Sequence, residues 1–197
     1  MLNTAASSLS LTNPPPAQIV TGIVLGKSGW EFTPNEHRSH PSDPIHGFTN
    51  LKQLYLHSNP SYSGRFTVPV FYDKHTQTIV NNESSEIIRM LYTAFDEFIP
   101  ERLREVNKSD GGLLPEKLRA EIDDFNAWVY ELVNNGVYRT GFAQTQRAYE
   151  EAVFPLFGAL DRIEEHLTKR GTPYLFGEGI TDADVRLYVT IVRFDTA

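Results

Sequence analysis

An acidic residue and a serine at the start of a predicted helix could bind a small zwitterion. Glu83 and Ser84 precede a run in which apolar residues recur every three to four positions from Ile87. The first N–H groups of a helix lack a helical acceptor and carry partial positive charge, so they favour an anion such as a carboxylate. Ser84 would donate to that carboxylate, and Glu83 would accept from a neighbouring ammonium group. Glutamate and serine also suit any first helical turn, so the local sequence leaves an ordinary capping role open.

A proline interrupts a strand-like pattern shortly before this helix. Pro69, in RFTVPVFYD, cannot donate a ladder hydrogen bond, so it belongs at a sheet edge or at a bend that leaves the Val68 main chain unpaired. An unpaired main chain can bind an extended peptide as an added strand. A cis Val68–Pro69 bond would produce this arrangement, although the pattern by itself does not establish one. The proline therefore marks a second candidate binding element.

The elements around these residues follow the order strand, helix, hairpin and helix. The β-branched QIVTGIVLG predicts a strand that ends at Gly26, and residues 27–50, rich in proline and histidine, predict a long loop. LKQLYLHSNP predicts a short helix that stops before Pro60. RFTVPVFYD and TQTIV predict an antiparallel hairpin, and an amphipathic helix is expected from Asn82 to Pro100.

The second half of the sequence predicts helices only. One apolar stripe begins after Pro115, a favourable first helical residue, and ends near Asn134–Gly136. A second, longer stripe contains Pro155, which predicts a kink. The last helix begins at a capping box formed by Thr181 and Asp184, and its apolar composition predicts that it is buried.

Composition and charge exclude several classes of function. The 197 residues carry 18 Lys and Arg against 25 Asp and Glu, a formal net charge of -7, which leaves no basic surface for nucleic acid. No apolar run is long enough to span a membrane, and the N-terminal residues lack the basic start and apolar stretch of a secretory signal. We therefore expect a cytoplasmic protein. Since the chain has no cysteine, it offers no thiol nucleophile, disulfide or thiolate metal ligand.

Two other patterns suggest ligands but fit them poorly. GIVLGKSG is similar to a phosphate loop, yet only three residues separate Gly22 from Gly26, one too few. The histidines of the predicted loop lie near Asp43, but their spacing matches no known set of metal ligands. We predict neither a nucleotide site nor a metal site.

Three long segments resemble one enzyme family. The resemblance rests on TVPVFYDKHTQTIVNNESSEIIRML, NNGVYRTGFAQTQRAYEEAVFPLFGALDRIEEHL and YLFGEGITDADVRLYVTIVRFD. These are similar to the glutathionyl-hydroquinone reductases, the Xi-type branch of the glutathione transferases near the omega class. The likeness runs from about Gly22 to Asp195. It implies an α/β plus all-α fold, in which an incomplete thioredoxin-like domain precedes a glutathione-transferase-type helical domain.

The resemblance also implies domain boundaries. Residues 1–20, rich in serine, threonine and proline, are expected to be a flexible leader. Residues 21–99 would form the thioredoxin-like, glutathione-binding domain, without the family's first strand and helix. A linker over 100–114 would lead to a truncated helical domain over 115–197.

Glutathione is the cosubstrate that the resemblance implies. Matched motif by motif, the predicted glutathione site contains Trp30, Arg65, Val68, Pro69, Glu83 and Ser84. In the family, the valine before a cis-proline pairs with the cysteinyl part of glutathione, and the Glu-Ser pair holds the γ-glutamyl end. The proline and the Glu-Ser pair would then be two ends of one groove for the extended tripeptide. Tyr138, in NNGVY, matches a position that faces the aromatic substrate.

The function that the resemblance implies is glutathione transfer to quinones or related aromatic electrophiles, with aromatic secondary metabolism as a setting. The family's Cys-Pro-Trp motif is absent, so cysteine-dependent reduction of glutathionyl-hydroquinones is not expected. Catalysis stays open, because a hydroxyl donor such as Ser28, Tyr62 or a serine of the N-terminal leader could lower the pKa of the glutathione thiol. The alternatives are a non-catalytic protein that binds glutathione or an aromatic ligand, and a truncated gene product. Apolar surface left uncovered could be buried in a homodimer.

Overall fold

The computed structural model describes four stretches of the chain, namely residues 23–26, 29–32, 42–108 and 111–194. The chain divides into two compact units, Met1–Phe98 and Ile99–Ala197. The predicted leader over residues 1–20 lies outside the described stretches. None of the helices in those stretches combines the length and the apolar character that a membrane span requires.

Two short antiparallel strands open the first unit. Strand β1 (Ile23–Gly26) ends at the predicted glycine and pairs with β2 (Gly29–Phe32). The sequence predicts a loop over residues 27–50, and that prediction is wrong for β2. Its four residues, GWEF, contain too little alternation of apolar and polar side chains to indicate a strand. Gly29 lies opposite Gly26 with φ of 105°, a conformation that glycine adopts without a steric cost.

A helix and a second hairpin follow, as the sequence predicts. Helix α1 (Leu51–Ser58) starts at a capping box, in which Asn50 Oδ1 accepts from the Gln53 N–H at 3.1 Å. Strands β3 (Phe71–Asp73) and β4 (Thr78–Asn81) pair antiparallel in a sheet separate from that of β1 and β2.

Helix α2 (Ser84–Thr93) is shorter than the sequence predicts. The apolar spacing extends to Pro100, but the chain leaves the α-helix at Ala94 and forms a 3₁₀ turn at Asp96–Phe98. Apolar spacing alone does not distinguish an α-helix from an α-helix followed by a tighter turn, because both keep the same face towards the core.

The core of the first unit lies on one face of α1. Leu51, Leu54 and Tyr55 are buried, and seven partly buried side chains pack against them: Trp30, Phe48, Tyr62, Phe66, Val70, Tyr72 and Ile79. These side chains come from the loop before α1, from β2, from the Ser61–Val70 segment and from both strands of the second hairpin. The core therefore fixes the segment that contains Pro69 against α1.

Short 3₁₀ turns connect the regular parts of the chain. Beyond the first unit they lie at Glu101–Leu103, Glu105–Asn107 and Glu116–Leu118. Glu105 is buried, and its carboxylate accepts from the main-chain N–H of Leu113. The described parts of the stretch predicted as a linker, residues 100–108 and 111–114, thus contain two 3₁₀ turns and a hydrogen bond between them.

The first long helix of the second unit runs further than predicted. Helix α3 (Arg119–Val129) continues through a π-helical segment (Tyr130–Asn134) into α4 (Asn135–Gly141). The predicted end near Gly136 is therefore wrong. Gly136 is buried within the continuing helix, and a Cβ there would make an ordinary van der Waals contact 3.4 Å from Leu156 Cδ1, so this glycine does not terminate the helix.

Helix α5 (Gln146–Arg170) ends at Gly171, which adopts the left-handed conformation with φ of 64°. The buried core of this unit combines side chains from α3, the π segment, α5, the following loop and the start of the last helix: Ile122, Phe125, Val129, Val133, Leu156, Ala159, Ile163, Leu175, Phe176 and Ala183. Both predicted apolar stripes contribute to it.

Helix α6 (Asp182–Ile191) confirms the predicted capping box and contradicts the predicted burial. Asp184 Oδ2 accepts from the Thr181 N–H at 2.8 Å and from the Thr181 hydroxyl at 2.7 Å. Yet Tyr188 is 64% exposed and Val189 is 43% exposed. The described residues pack against one side of α6 only, so its apolar character exceeds what this part of the chain buries.

Candidate functional site

Two consecutive asparagines fix the start of α2. Asn81 Oδ1 accepts from the Glu83 N–H at 2.7 Å, and Asn81 Nδ2 donates to Glu86 Oε2 at 2.6 Å. Asn82 Nδ2 donates to Thr67 Oγ1 at 2.8 Å. The first asparagine therefore holds the backbone at Glu83, and the second binds the residue that precedes Val68.

The side chains of Glu83 and Ser84 are exposed at the amino end of α2. Glu83 is the N-cap residue in an extended conformation, and its side chain forms no capping hydrogen bond. Within the described stretches, neither its carboxylate nor the Ser84 hydroxyl has a hydrogen-bond partner. Both side chains are therefore open to solvent at this helix end, where a ligand could reach them.

The Val68–Pro69 peptide bond is cis. Pro69 lies just before β3 and outside the hairpin ladder, so its missing N–H interrupts no strand pairing. Among the residues that the structure describes, the Val68 N–H and C=O have no hydrogen-bond partner. Val68 is 38% exposed, so its main chain can pair with an extended peptide.

A buried tyrosine anchors the residue before Val68. Tyr55 is only 3% exposed and belongs to the core face of α1. Its hydroxyl donates to the Thr67 C=O at 2.9 Å and accepts from the Thr67 N–H at 3.3 Å. Both main-chain groups of Thr67 are thereby satisfied, which leaves the neighbouring Val68 groups as the open ones.

Arg65 and Trp30, the other predicted glutathione contacts, lie in the same unit. Arg65 is exposed, and within the described part of the chain its guanidinium has no partner. Trp30 is half-buried and packs on the core cluster of α1. The Tyr62 hydroxyl donates to the Arg65 C=O at 2.8 Å, so its proton is already engaged. Ser28 and the leader serines, the other hydroxyls considered for thiol activation, lie outside the described residues.

Tyr138 lies on α4 in the second unit. It is 62% exposed and stacks on Phe142 with ring centroids 6.4 Å apart and ring planes 8° from parallel. Phe142 also lines a cavity of about 750 Å³, together with Leu132 and Pro155. Arg139 lines the same cavity and donates to the carboxylate and the main-chain oxygen of Glu131. The second unit thus exposes an aromatic pair at the edge of an apolar cavity.

Sequence and structure comparisons agree on one family. Residues 146–197 match the family "Glutathione S-transferase, C-terminal domain". The chain is 49% identical over 171 residues to the glutathionyl-hydroquinone reductase PcpF of Sphingobium chlorophenolicum, a match that covers 87% of this chain and 51% of PcpF. The crystal structure of the glutathione S-transferase Xi from Phanerochaete chrysosporium superposes with a TM-score of 0.75 at 55% identity, covering 86% of this chain and 55% of that one. The chain is a homologue of the Xi-class glutathione transferases.

The chain spans about half the length of the curated relatives that it matches. A glutathione-bound structure of YqjG from Escherichia coli K-12 is 46% identical, with a TM-score of 0.75 and coverage of 86% of this chain and 51% of that one. The predicted fold class is confirmed, since the solved neighbours have the glutathione transferase fold and the second unit is almost wholly helical.

The candidate site is held in place by residues that the sequence did not single out. These are Tyr55, Thr67 and Asn82, none of which carries a recognisable motif. Asn82 follows another asparagine just before a helix, a pattern that indicates side-chain bonds to the main chain, but its bond goes to a distant side chain. Tyr55 lies on the apolar stripe of α1, where spacing predicts a core role and gives no indication of the hydroxyl's partner.

Proposed function

We propose that this chain binds glutathione in its first unit and acts, as a glutathione transferase-like protein, on quinones or related aromatic electrophiles. The observation that carries the proposal is that two sets of unpaired groups lie next to the two residues joined by the Asn82–Thr67 hydrogen bond. The unpaired Val68 main chain follows Thr67, and the unengaged Glu83 and Ser84 side chains follow Asn82. The identity to glutathionyl-hydroquinone reductase PcpF and the glutathione bound to YqjG support the choice of ligand.

Each open group has a chemical counterpart on glutathione. The Val68 N–H and C=O would pair with the main chain of the cysteinyl residue, as in an added strand. Ser84 would donate to the γ-glutamyl carboxylate, and Glu83 would accept from the ammonium group beside it. Arg65 would attract the anionic tripeptide. Each charge-assisted hydrogen bond is worth about 1.5 to 3 kcal/mol where water is excluded.

The thiol in this chemistry would be that of glutathione, because the 197 residues contain no cysteine. Its sulfur would add to a ring carbon of a quinone, forming a C–S bond while the ring becomes a hydroquinone. The thiol proton passes through solvent to one quinone oxygen, and the ring carbon that binds sulfur loses its hydrogen as a proton, which ends on the other oxygen as the ring becomes aromatic. The exposed pair Tyr138 and Phe142, beside the cavity, would supply the aromatic surface for this substrate.

A non-catalytic carrier of glutathione or of an aromatic ligand is the second candidate. It is favoured by the hydrogen bond from the Tyr62 hydroxyl to the Arg65 carbonyl, which leaves that hydroxyl without a proton to donate to a thiolate. For either candidate we propose the cytoplasm and aromatic secondary metabolism as the setting. A homodimer would cover some of the apolar side chains that the second unit exposes, among them Tyr138 and Tyr188.

Thermal unfolding with and without glutathione tests the binding site. A ligand at one hundred times its dissociation constant adds about 2.7 kcal/mol, which shifts the midpoint of a chain of this size by roughly 5 to 10 °C. Ser84→Ala should weaken glutathione binding by about ten- to one hundred-fold, because it removes one charge-assisted donor. Ser61→Ala, at another exposed serine of the same unit, is the matched control. Equal melting curves with and without glutathione would refute the site.

Conjugation of 1,4-benzoquinone with glutathione separates the enzyme from the carrier. If the chain is an enzyme, turnover at neutral pH should exceed the buffer blank, and Tyr138→Ala should raise the KM for the quinone. A rate equal to the blank, combined with a glutathione-dependent shift in melting, would identify the carrier.

A further inference from the structure

One side-chain hydrogen bond spans the two halves of the proposed site. Asn82 Nδ2 donates to Thr67 Oγ1 at 2.8 Å across 15 positions of sequence. Thr67 immediately precedes Val68, and Asn82 immediately precedes Glu83. The bond therefore joins the residue next to the open main chain with the residue next to the open carboxylate and hydroxyl.

Thr67 has little freedom to move. Its N–H and C=O are bonded to the Tyr55 hydroxyl, and its own hydroxyl accepts from Asn82. Tyr55 is 3% exposed, so the anchor is itself fixed in the core. Asn82 is half-buried, where a lost amide hydrogen bond is not fully replaced by water. The bond is consequently a rigid connection between the cis-proline segment and the amino end of α2.

We propose that Thr67 and Asn82 are positioning residues that couple the two halves of the glutathione site. They touch the main chain and side chains beside the ligand groups and need not touch the ligand. Their hydrogen bond keeps the Val68 main chain and the Glu83–Ser84 pair at the separation that one tripeptide spans. This inference rests on the proposed function and adds to it the source of the affinity for the intact peptide.

The physical reason is the chelate effect. When one half of glutathione is bound, the other half meets its own contacts at an effective concentration set by the geometry between the two halves of the site. If that geometry loosens, intact glutathione loses this advantage. A ligand that fills only one half does not depend on the distance to the other half, so its affinity should stay the same.

The experiment compares intact glutathione with two half-ligands on the full chain. L-Glutamate carries the amino-acid end of the γ-glutamyl residue without any cysteinyl main chain, and cysteinylglycine carries the cysteinyl main chain without the γ-glutamyl end. Asn82→Ala and Thr67→Val should each weaken glutathione by about tenfold, and the double variant should be no weaker than either single one. Affinity for each half-ligand, measured by NMR titration, should change less than twofold.

Three variants serve as controls. Thr67→Ser keeps the hydroxyl and should retain wild-type affinity for glutathione. Thr76→Val removes a hydroxyl that donates to Asp73 Oδ2 at 2.8 Å in the hairpin turn, and Asn59→Ala removes an amide oxygen that accepts from the Ser61 N–H at 3.0 Å. Both should bind glutathione as the wild type does.

The outcomes separate the two proposals. If the wild type binds glutathione and Asn82→Ala binds it equally well, the coupling is refuted while the proposed function stands. A parallel loss of glutathione and of both half-ligands would also refute the coupling, because it would indicate general damage to the site. If the wild type binds neither glutathione nor a half-ligand, the proposed function fails and the inference fails with it.

Discussion

Removing one hydroxyl from the core of the first unit should destabilise that unit selectively. Tyr55→Phe keeps the buried ring and its contacts with the rings of Tyr62 and Phe66, whose centroids lie 4.9 and 5.5 Å away. It deletes the hydroxyl that pairs with the N–H and the C=O of Thr67. A net hydrogen bond is worth about 1 kcal/mol, and a buried group left unpaired costs about 1 to 3 kcal/mol. We expect the unfolding free energy of the first unit to fall by about 2 kcal/mol.

Tryptophan fluorescence can follow this unit alone. The chain has two tryptophans, Trp30 in the first unit and Trp128 in the second. In a Trp128→Phe background, urea unfolding of Tyr55→Phe should show a midpoint lower by about 1 to 2 M, since the urea slope of a small unit is about 1 to 2 kcal/mol/M. Tyr62→Phe is the matched control, because its hydroxyl makes a single bond near the surface. Equal midpoints for the two variants would refute the assignment of Tyr55 as the anchor of Thr67.

Two further predictions concern stability. Asp184→Ala should lower the unfolding free energy of the second unit by about 2 to 3 kcal/mol, because this carboxylate accepts from Thr181 and from the Leu175 N–H at 2.9 Å. Urea denaturation measures the loss, with Asp161→Ala on the exposed face of α5 as the control. A similar loss in the control would contradict the prediction. Burial, assisted by two nearby aspartates, raises the pKa of Tyr72 above its ordinary value of 10.0. A pKa that is higher in the folded state contributes stability at lower pH, and this stability is lost as the pH rises through that pKa. The unfolding free energy of the first unit should therefore fall above about pH 10, and Tyr72→Phe should reduce this dependence on pH. Identical plots of unfolding free energy against pH for the wild type and Tyr72→Phe would contradict the prediction.

The order of elements in the first unit was predictable where apolar spacing or turn residues were unambiguous. Helix α1 and the hairpin β3–β4 lie where the sequence places them. Strand β2 was missed because four residues give too short a pattern, and its pairing partner stabilises it more than its own sequence does. The end of α2 was placed too far along because 3₁₀ and α geometry share their apolar face.

In the second unit, single residues did not predict correctly where a helix ends or how deeply it is buried. The pair Asn135–Gly136 is typical of a helix end, yet both residues lie inside α4 and Gly136 is buried, so tertiary packing overrides their local preference. The capping box at Thr181 was predictable because both of its partners lie within one turn. The partial burial of α6 was not predictable, because burial depends on which parts of the chain pack against a helix, and the sequence of the helix does not specify them.

For the candidate site, the local sequence indicates the residues that we propose to contact the ligand and does not indicate the residues that hold them in place. Glu83, Ser84 and Pro69 have chemical properties that local sequence reveals. The bond between Thr67 and Asn82 depends on the fold bringing together positions 15 residues apart, which no local pattern encodes. The two hydrogen bonds from the Tyr55 hydroxyl to the main chain of Thr67 depend on the fold in the same way.

The π-helical segment Tyr130–Asn134 lets this helix hold one extra residue without changing the direction of the part that follows. A π-helical turn contains about one residue more than an α-helical turn, so deleting one residue here would restore regular winding while α4 keeps nearly the same orientation relative to α3. Deleting a residue from the regular helix between this segment and Tyr138 would instead rotate the tyrosine by about 100°. Asn134, whose Nδ2 lies 2.6 Å from Thr190 Oγ1, holds the π-helical segment against α6. The direction in which the aromatic pair faces is therefore insensitive to a one-residue change inside the π-helical segment and sensitive to one beyond it.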